Sequence, residues 1–139
     1  MRQKINLIAL GVKDPYKAEK FYEALGWKKS PQSRGDLILF PLGGITLALY
    51  PRRLLAEDAM VMDEATGFSG ITLSYSAKNK KEVDTVLKQA QKLGAKIIKP
   101  AQETFCGGYG GYFKDPDGHI FEVAYIPSWK LDEKDNLIL

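Results

Sequence analysis

The chain of 139 residues carries the same order of elements twice, and this repeat constrains its fold more than any single motif does. In the first half, residues 5–12 read as a buried strand. Asp14-Pro15 then opens a helix: Asp14 can cap the free amides, and Pro15 fits the first turn. Ala18, Phe21, Tyr22 and Leu25 fall at helical spacing, and Gly26 ends the element. Asp36–Pro41, a Gly43-Gly44 turn and Ile45–Tyr50 form a hairpin signature, which Pro51 stops. In the second half, Ile71–Ser76 reads as a strand, and Asn79 with Glu82 has the spacing of a capping box. Val83, Val86, Leu87, Ala90 and Leu93 make an apolar helical stripe that Gly94 closes. Lys96–Lys99 is a short strand before Pro100, and Gly111–Phe113 and Ile120–Tyr125 are strands around the turn Asp115-Pro116-Asp117-Gly118.

The halves match element by element. Leu25-Gly26-Trp27 answers Leu93-Gly94-Ala95, and Phe40…Gly44…Ala48…Pro51 answers Phe113…Gly118…Glu122…Pro127. Each unit is too small to bury its own sheet face, so two must pair within a chain or between chains. The expectation is an α+β fold of two strand–helix–strands modules, 1–62 and 67–127, whose curved mixed sheets enclose a ligand cavity. Together they make one domain, 1–127, followed by a C-terminal tail, 128–139. Between the modules, Arg52 to Met62 is read as a short helix and Asp63 to Ser69 as a linker.

Composition narrows the function classes. Hydrophobic residues at 45% and charged residues at 27% describe a globular chain rather than a disordered one. The net charge of +3 is spread along the sequence, without a basic stripe interleaved with aromatics, so no nucleic-acid partner is expected. No apolar run reaches the roughly 20 residues that span a bilayer, and the N-terminal stretch lacks a small-residue cleavage site. The expected location is therefore the cytoplasm, with no membrane partner. A single cysteine, Cys106, excludes an internal disulfide, and a single histidine, His119, excludes every multi-histidine metal site.

Three stretches carry a resemblance to a known family: Gly11-Val12-Lys13-Asp14-Pro15 with Phe21–Trp27, Gly67–Ile71, and above all Gly111–Val123 with its Asp115-Pro116-Asp117-Gly118 core. Over about residues 4–127 the chain resembles the vicinal oxygen chelate superfamily: glyoxalase I, extradiol dioxygenases, and fosfomycin- and bleomycin-resistance proteins. The resemblance implies the paired βαβββ fold; one fold hosts many functions, so activity is argued at the site. Metal-dependent members hold a divalent ion with four side chains of the sheet interior. Matched by their neighbours, those positions fall on Leu7, Ala48, Gly70 and Glu122. Only Glu122 offers a donor, so no metal cofactor is expected.

Glu122 is the leading candidate, as a hydrogen-bond anchor for a ligand or as a general acid/base. Its plainer reading is a strand residue facing solvent. His119, at the turn exit, is read as a residue that orders the hairpin. Cys106 precedes a run with glycines at 107, 108, 110 and 111, which reads either as a lid placing Cys106 and Tyr109 on a ligand or as a flexible loop. Trp27, Tyr50, Tyr75, Phe105, Tyr109, Tyr112 and Phe121 are candidate pocket aromatics, with core packing as the alternative. Arg52 and Arg53 could meet an anion or stay solvated. The expected function is small-molecule binding by a homodimer with an incomplete metal site. The alternatives are a glyoxalase-type lyase or isomerase using Glu122, and an antibiotic-sequestering protein.

Overall fold

The computed structural model describes residues 1, 5–64, 67–69, 71–104 and 107–138. The chain divides into two units, Met1–Gly67 and Phe68–Leu139. In the first, β1 (Leu7–Val12) leads into α1 (Pro15–Ala24), followed by β2 (Ile38–Leu42), β3 (Ile45–Pro51) and α2 (Arg52–Asp58). The sheet order is β1-β3-β2, with β1 parallel and β2 antiparallel to β3. In the second unit, β4 (Leu73–Ser76) precedes α3 (Lys80–Lys92), then β5 (Lys96–Glu103), β6 (Tyr109–Lys114) and β7 (Ile120–Tyr125). Their order is β4-β7-β6-β5, with β4 parallel to β7 and the other pairs antiparallel. The class is α+β with two small mixed sheets, as the repeat predicts.

The repeat extends to individual hydrogen bonds. The Asp14 carboxylate accepts from the Tyr16 and Lys17 amides, and Asn79 Oδ1 accepts from the Glu82 amide. At the other ends, Gly26 and Gly94 take positive φ of 105° and 98°. The next residues, Trp27 and Ala95, donate back to the carbonyls of Tyr22 and Ala90 at 3.1 and 3.0 Å. This pair of identical caps is what the matching Leu-Gly dipeptides encode. Each helix presses its apolar stripe on one sheet face. Phe21 and Tyr22 are buried in the first unit with Val12, Ile38, Phe40 and Leu49, and Val83, Leu87 and Ala90 in the second with Phe113, Phe121 and Val123.

Four expectations change. Among the described residues the first sheet has three strands: those after Trp27 reach β2 through isolated bonds, such as Ser30 N–H to the Leu39 carbonyl at 2.7 Å. Pro31 has no amide to give to a ladder, and Gly35 turns the chain with a φ of 52°. The segment from Arg52 is helical only to Asp58, and Met60 ends it in the left-handed region at φ 57°. β5 does not stop at Pro100 but runs on to Glu103, because Pro100 lies inside the second of two register shifts on an edge strand. Lastly, the tail contains a small hairpin, β8 (Lys130–Leu131) with β9 (Leu137–Ile138), and Asp135 forms an ion pair with Lys78 at 2.7 Å.

Candidate functional site

Strand parity sorts the second sheet into two faces. Tyr75, Gly111, Phe113, Phe121 and Val123 share the face that α3 covers; Ser74, Gly110, Tyr112, Glu122 and Ala124 share the other. Ser74, Glu122 and Tyr112 are direct neighbours across three strands. Their side chains join: Tyr112 Oη–H donates to Glu122 Oε1 at 2.6 Å, and Ser74 Oγ–H donates to Oε2 at 2.7 Å. A carboxylate has about four lone-pair sites, so each Glu122 oxygen keeps one for a further donor. The Glu122 bond, with its negative charge and partial burial, pushes the Tyr112 hydroxyl above the usual tyrosine pKa.

The fourth strand joins the row by an irregularity. Ile97 pairs with Phe113 on the helix face, yet Lys99, two residues on, pairs with Tyr112 on the opposite face. One extra residue at this bulge turns Lys99 over, and a second shift sets Gln102 opposite Gly110. The Lys99 ammonium stands 5.5 Å from the centroid of the Tyr112 ring. These residues line a groove of about 420 Å³, together with Glu103, Thr104, Tyr109, Tyr125 and Ile126. Gly110 and Ala124 leave its floor low, since neither carries a side chain beyond Cβ.

The candidate residues scatter across this frame. Glu122, Tyr112 and Tyr109 share the groove. Tyr109 hands its hydroxyl to Asp84 of α3 at 2.9 Å, and that bond holds its pKa above the usual value. Tyr75 lies on the helix face and donates to Glu82 at 2.6 Å, away from Glu122. Trp27 belongs to the first unit's core, stacked on Tyr22 with centroids 4.9 Å apart. Tyr50 pairs with Gly11 on the face of the first sheet that also holds Leu7 and Ala48. Phe105, Cys106 and Gly70 lie outside the described residues. Phe121 stacks on Phe113 in the second unit's core. Arg52 and Arg53 pair with Asp63 and Glu57. His119 Nδ1 sits 3.0 Å from the carboxylate of buried Asp115, which also accepts the Asp117 and His119 amides at the turn.

Gly107 and Gly108 close the β5–β6 hairpin through bonds with Thr104, while Gly110 and Gly111 lie inside β6. Reading residue types alone missed Ser74, Lys99, Gln102 and Ala124. Ala124 was reachable by parity from Glu122 along β7, whereas Ser74 lies on another strand and needed the β4–β7 pairing. Lys99 and Gln102 were not reachable, since simple alternation places Lys99 with Ile97.

The two units, each a strand, a helix and a hairpin closed by a parallel pair, define a paired-module α+β protein with a groove on one sheet. The chain belongs to the glyoxalase/bleomycin resistance protein/dioxygenase superfamily, whose family model matches residues 4–123. A glyoxalase-related enzyme from Fulvimarina pelagi is 30% identical, with a TM-score of 0.86 over 99% of this chain and 98% of that one. A family enzyme from Burkholderia phytofirmans PsJN is 19% identical, with a TM-score of 0.79 over 87% and 97% of the two chains. Lactoylglutathione lyase from Agrobacterium tumefaciens is 24% identical, with a TM-score of 0.66 over 90% and 95%. The last two likenesses speak for the fold alone.

The donor set at the family's metal positions does not fit a divalent ion. Leu7 and Ala48 share one face of the first sheet and carry only hydrocarbon, and Gly70 has no side chain, so Glu122 is the one donor side chain of the four, too few for a divalent ion. Among the described residues no three His, Cys, Asp or Glu side chains come together. Nor, among them, is any helix long and apolar enough to cross a membrane.

Proposed function

We propose that this protein binds a small molecule in the groove of its second sheet, with Glu122 as the hydrogen-bond anchor and no metal at the four family positions. The observation that carries this reading is the Tyr112–Glu122–Ser74 row: two hydroxyls orient a carboxylate on the groove wall and leave it free to accept from a ligand. Elemental analysis after soaks in nickel, zinc, cobalt and manganese tests the metal half, with far less than one ion per chain expected. Near one ion per chain would overturn it. A thermal-shift screen of small polar metabolites tests the other half. Compounds that raise the melting temperature of the native chain should raise it less in Glu122→Gln.

The likeness to the glyoxalase-related enzyme favours a second reading, a lyase or isomerase that uses Glu122 as base. Under that reading Glu122→Gln loses turnover and keeps binding; under ours there is no turnover to lose.

A further inference from the structure

Among the described residues, three charged side chains line the groove: Lys99, Glu103 and Glu122. Glu103 is neutralised by Lys80, whose ammonium lies 2.6 Å away. Lys99 and Glu122 have no ion-pair partner among the described residues. Lys99 leans over an aromatic face, and Glu122 is held by two neutral hydroxyls. The groove therefore holds one uncompensated positive and one uncompensated negative group, on the same face and two strands apart. At the usual strand spacing their backbones are about 10 Å apart. Tyr112 lies between them, and Gly110 and Ala124 form a low floor beside it.

We propose that the groove selects a small molecule charged in the complementary sense: an anionic group at Lys99, and an ammonium or other strong donor at Glu122, joined by a short apolar span across Tyr112. This names the ligand class and rests on the reading of Glu122 as an anchor. The ammonium of Lys99 brings up to three donors to a carboxylate or phosphate, and Glu122 brings its two remaining acceptor sites to a cation. A bulge in β5 is what brings both to one face.

The test is an amide NMR titration of the full chain with 6-aminohexanoate, hexanoate, hexylamine and 1-hexanol. The amides of Gly110, Tyr112, Glu122 and Ala124 should shift, with 6-aminohexanoate binding tenfold or more tighter than either singly charged probe. Lys99→Met should reduce 6-aminohexanoate to the affinity of hexylamine and leave hexylamine unchanged. Glu122→Gln should reduce it to the affinity of hexanoate. Ala124→Leu, which fills the groove without touching either charge, should abolish the shifts, and it stands in if a charge variant fails to fold. If 1-hexanol binds the groove as tightly as 6-aminohexanoate, the charge pair selects nothing and this proposal falls, while the groove remains a binding site. If no probe moves these amides, both the proposal and the groove as a ligand site are overturned.

Discussion

A methyl group on Gly111 would meet the Lys99 carbonyl oxygen at 2.7 Å and the Ala101 amide nitrogen at 2.9 Å. Those atoms belong to the bulged stretch of β5, so glycine here lets the edge strand close on β6 while turning Lys99 toward the groove. Gly111→Ala should cost about 1–3 kcal/mol, as overpacking against fixed backbone does, read from the urea midpoint. It should also move the Lys99 amide resonance. Tyr75 offers a pH-dependent counterpart on the opposite face. Burial, then the bond to Glu82 and its charge, push its hydroxyl up to about 12. The folded state holds this proton more tightly than the unfolded state does. The stabilisation is complete below about pH 10, the ordinary tyrosine value, and is lost as pH rises through 12. Tyr75→Phe should flatten that part of the alkaline unfolding curve. It should also remove one high-pH tyrosine from the absorbance titration at 295 nm. Unchanged curves would mean that the Glu82 bond contributes nothing.

At the level of elements, the helices are set by their ends as much as by their stripes. Asn79 caps α3 through the Glu82 amide, and the Glu82 carboxylate in turn accepts the Lys78 amide at 2.6 Å and the Tyr75 hydroxyl. This cluster ties the start of the helix to the end of β4. Asn79→Ala should destabilise the protein by about 1 kcal/mol in chemical denaturation. Protection of the first-turn amides from exchange should fall with it. Both helices were legible beforehand because capping residue, apolar period and closing glycine agree within 15 residues of chain. The strands were less so. Alternation matches the burial of β7, but it fails in β3, where Leu47, Ala48 and Leu49 are all buried, and in β5, where two extra residues reset the faces. It also fails after Trp27, where the corresponding strand of the first unit is reduced to isolated bonds.

For the whole molecule, the first unit leaves three consecutive large apolar side chains, Met60, Val61 and Met62, strongly exposed. Large apolar side chains exposed in one patch mark a surface for a partner. A homodimer is the expected solution state, and light scattering should give about twice 15.5 kDa. A mass of one chain at micromolar concentration would reject it.

The doubled order of elements, the helix caps and the hairpin turns rest on residue types and short spacings, and they could be read in one dimension. The choice of Glu122, like that of Leu7 and Ala48 as metal positions, came from the family resemblance. The partners of Glu122 were legible in neither. Ser74 lies 48 residues from Glu122 and meets it only because β4 runs parallel beside β7. Tyr75, its neighbour in sequence, falls on the far face by the same pairing. Lys99 reaches the groove through a bulge that no periodicity announces, since one extra residue inverts every side chain beyond it. Which aromatics pack and which face the groove was decided by register, a property of two strands together that neither strand carries alone.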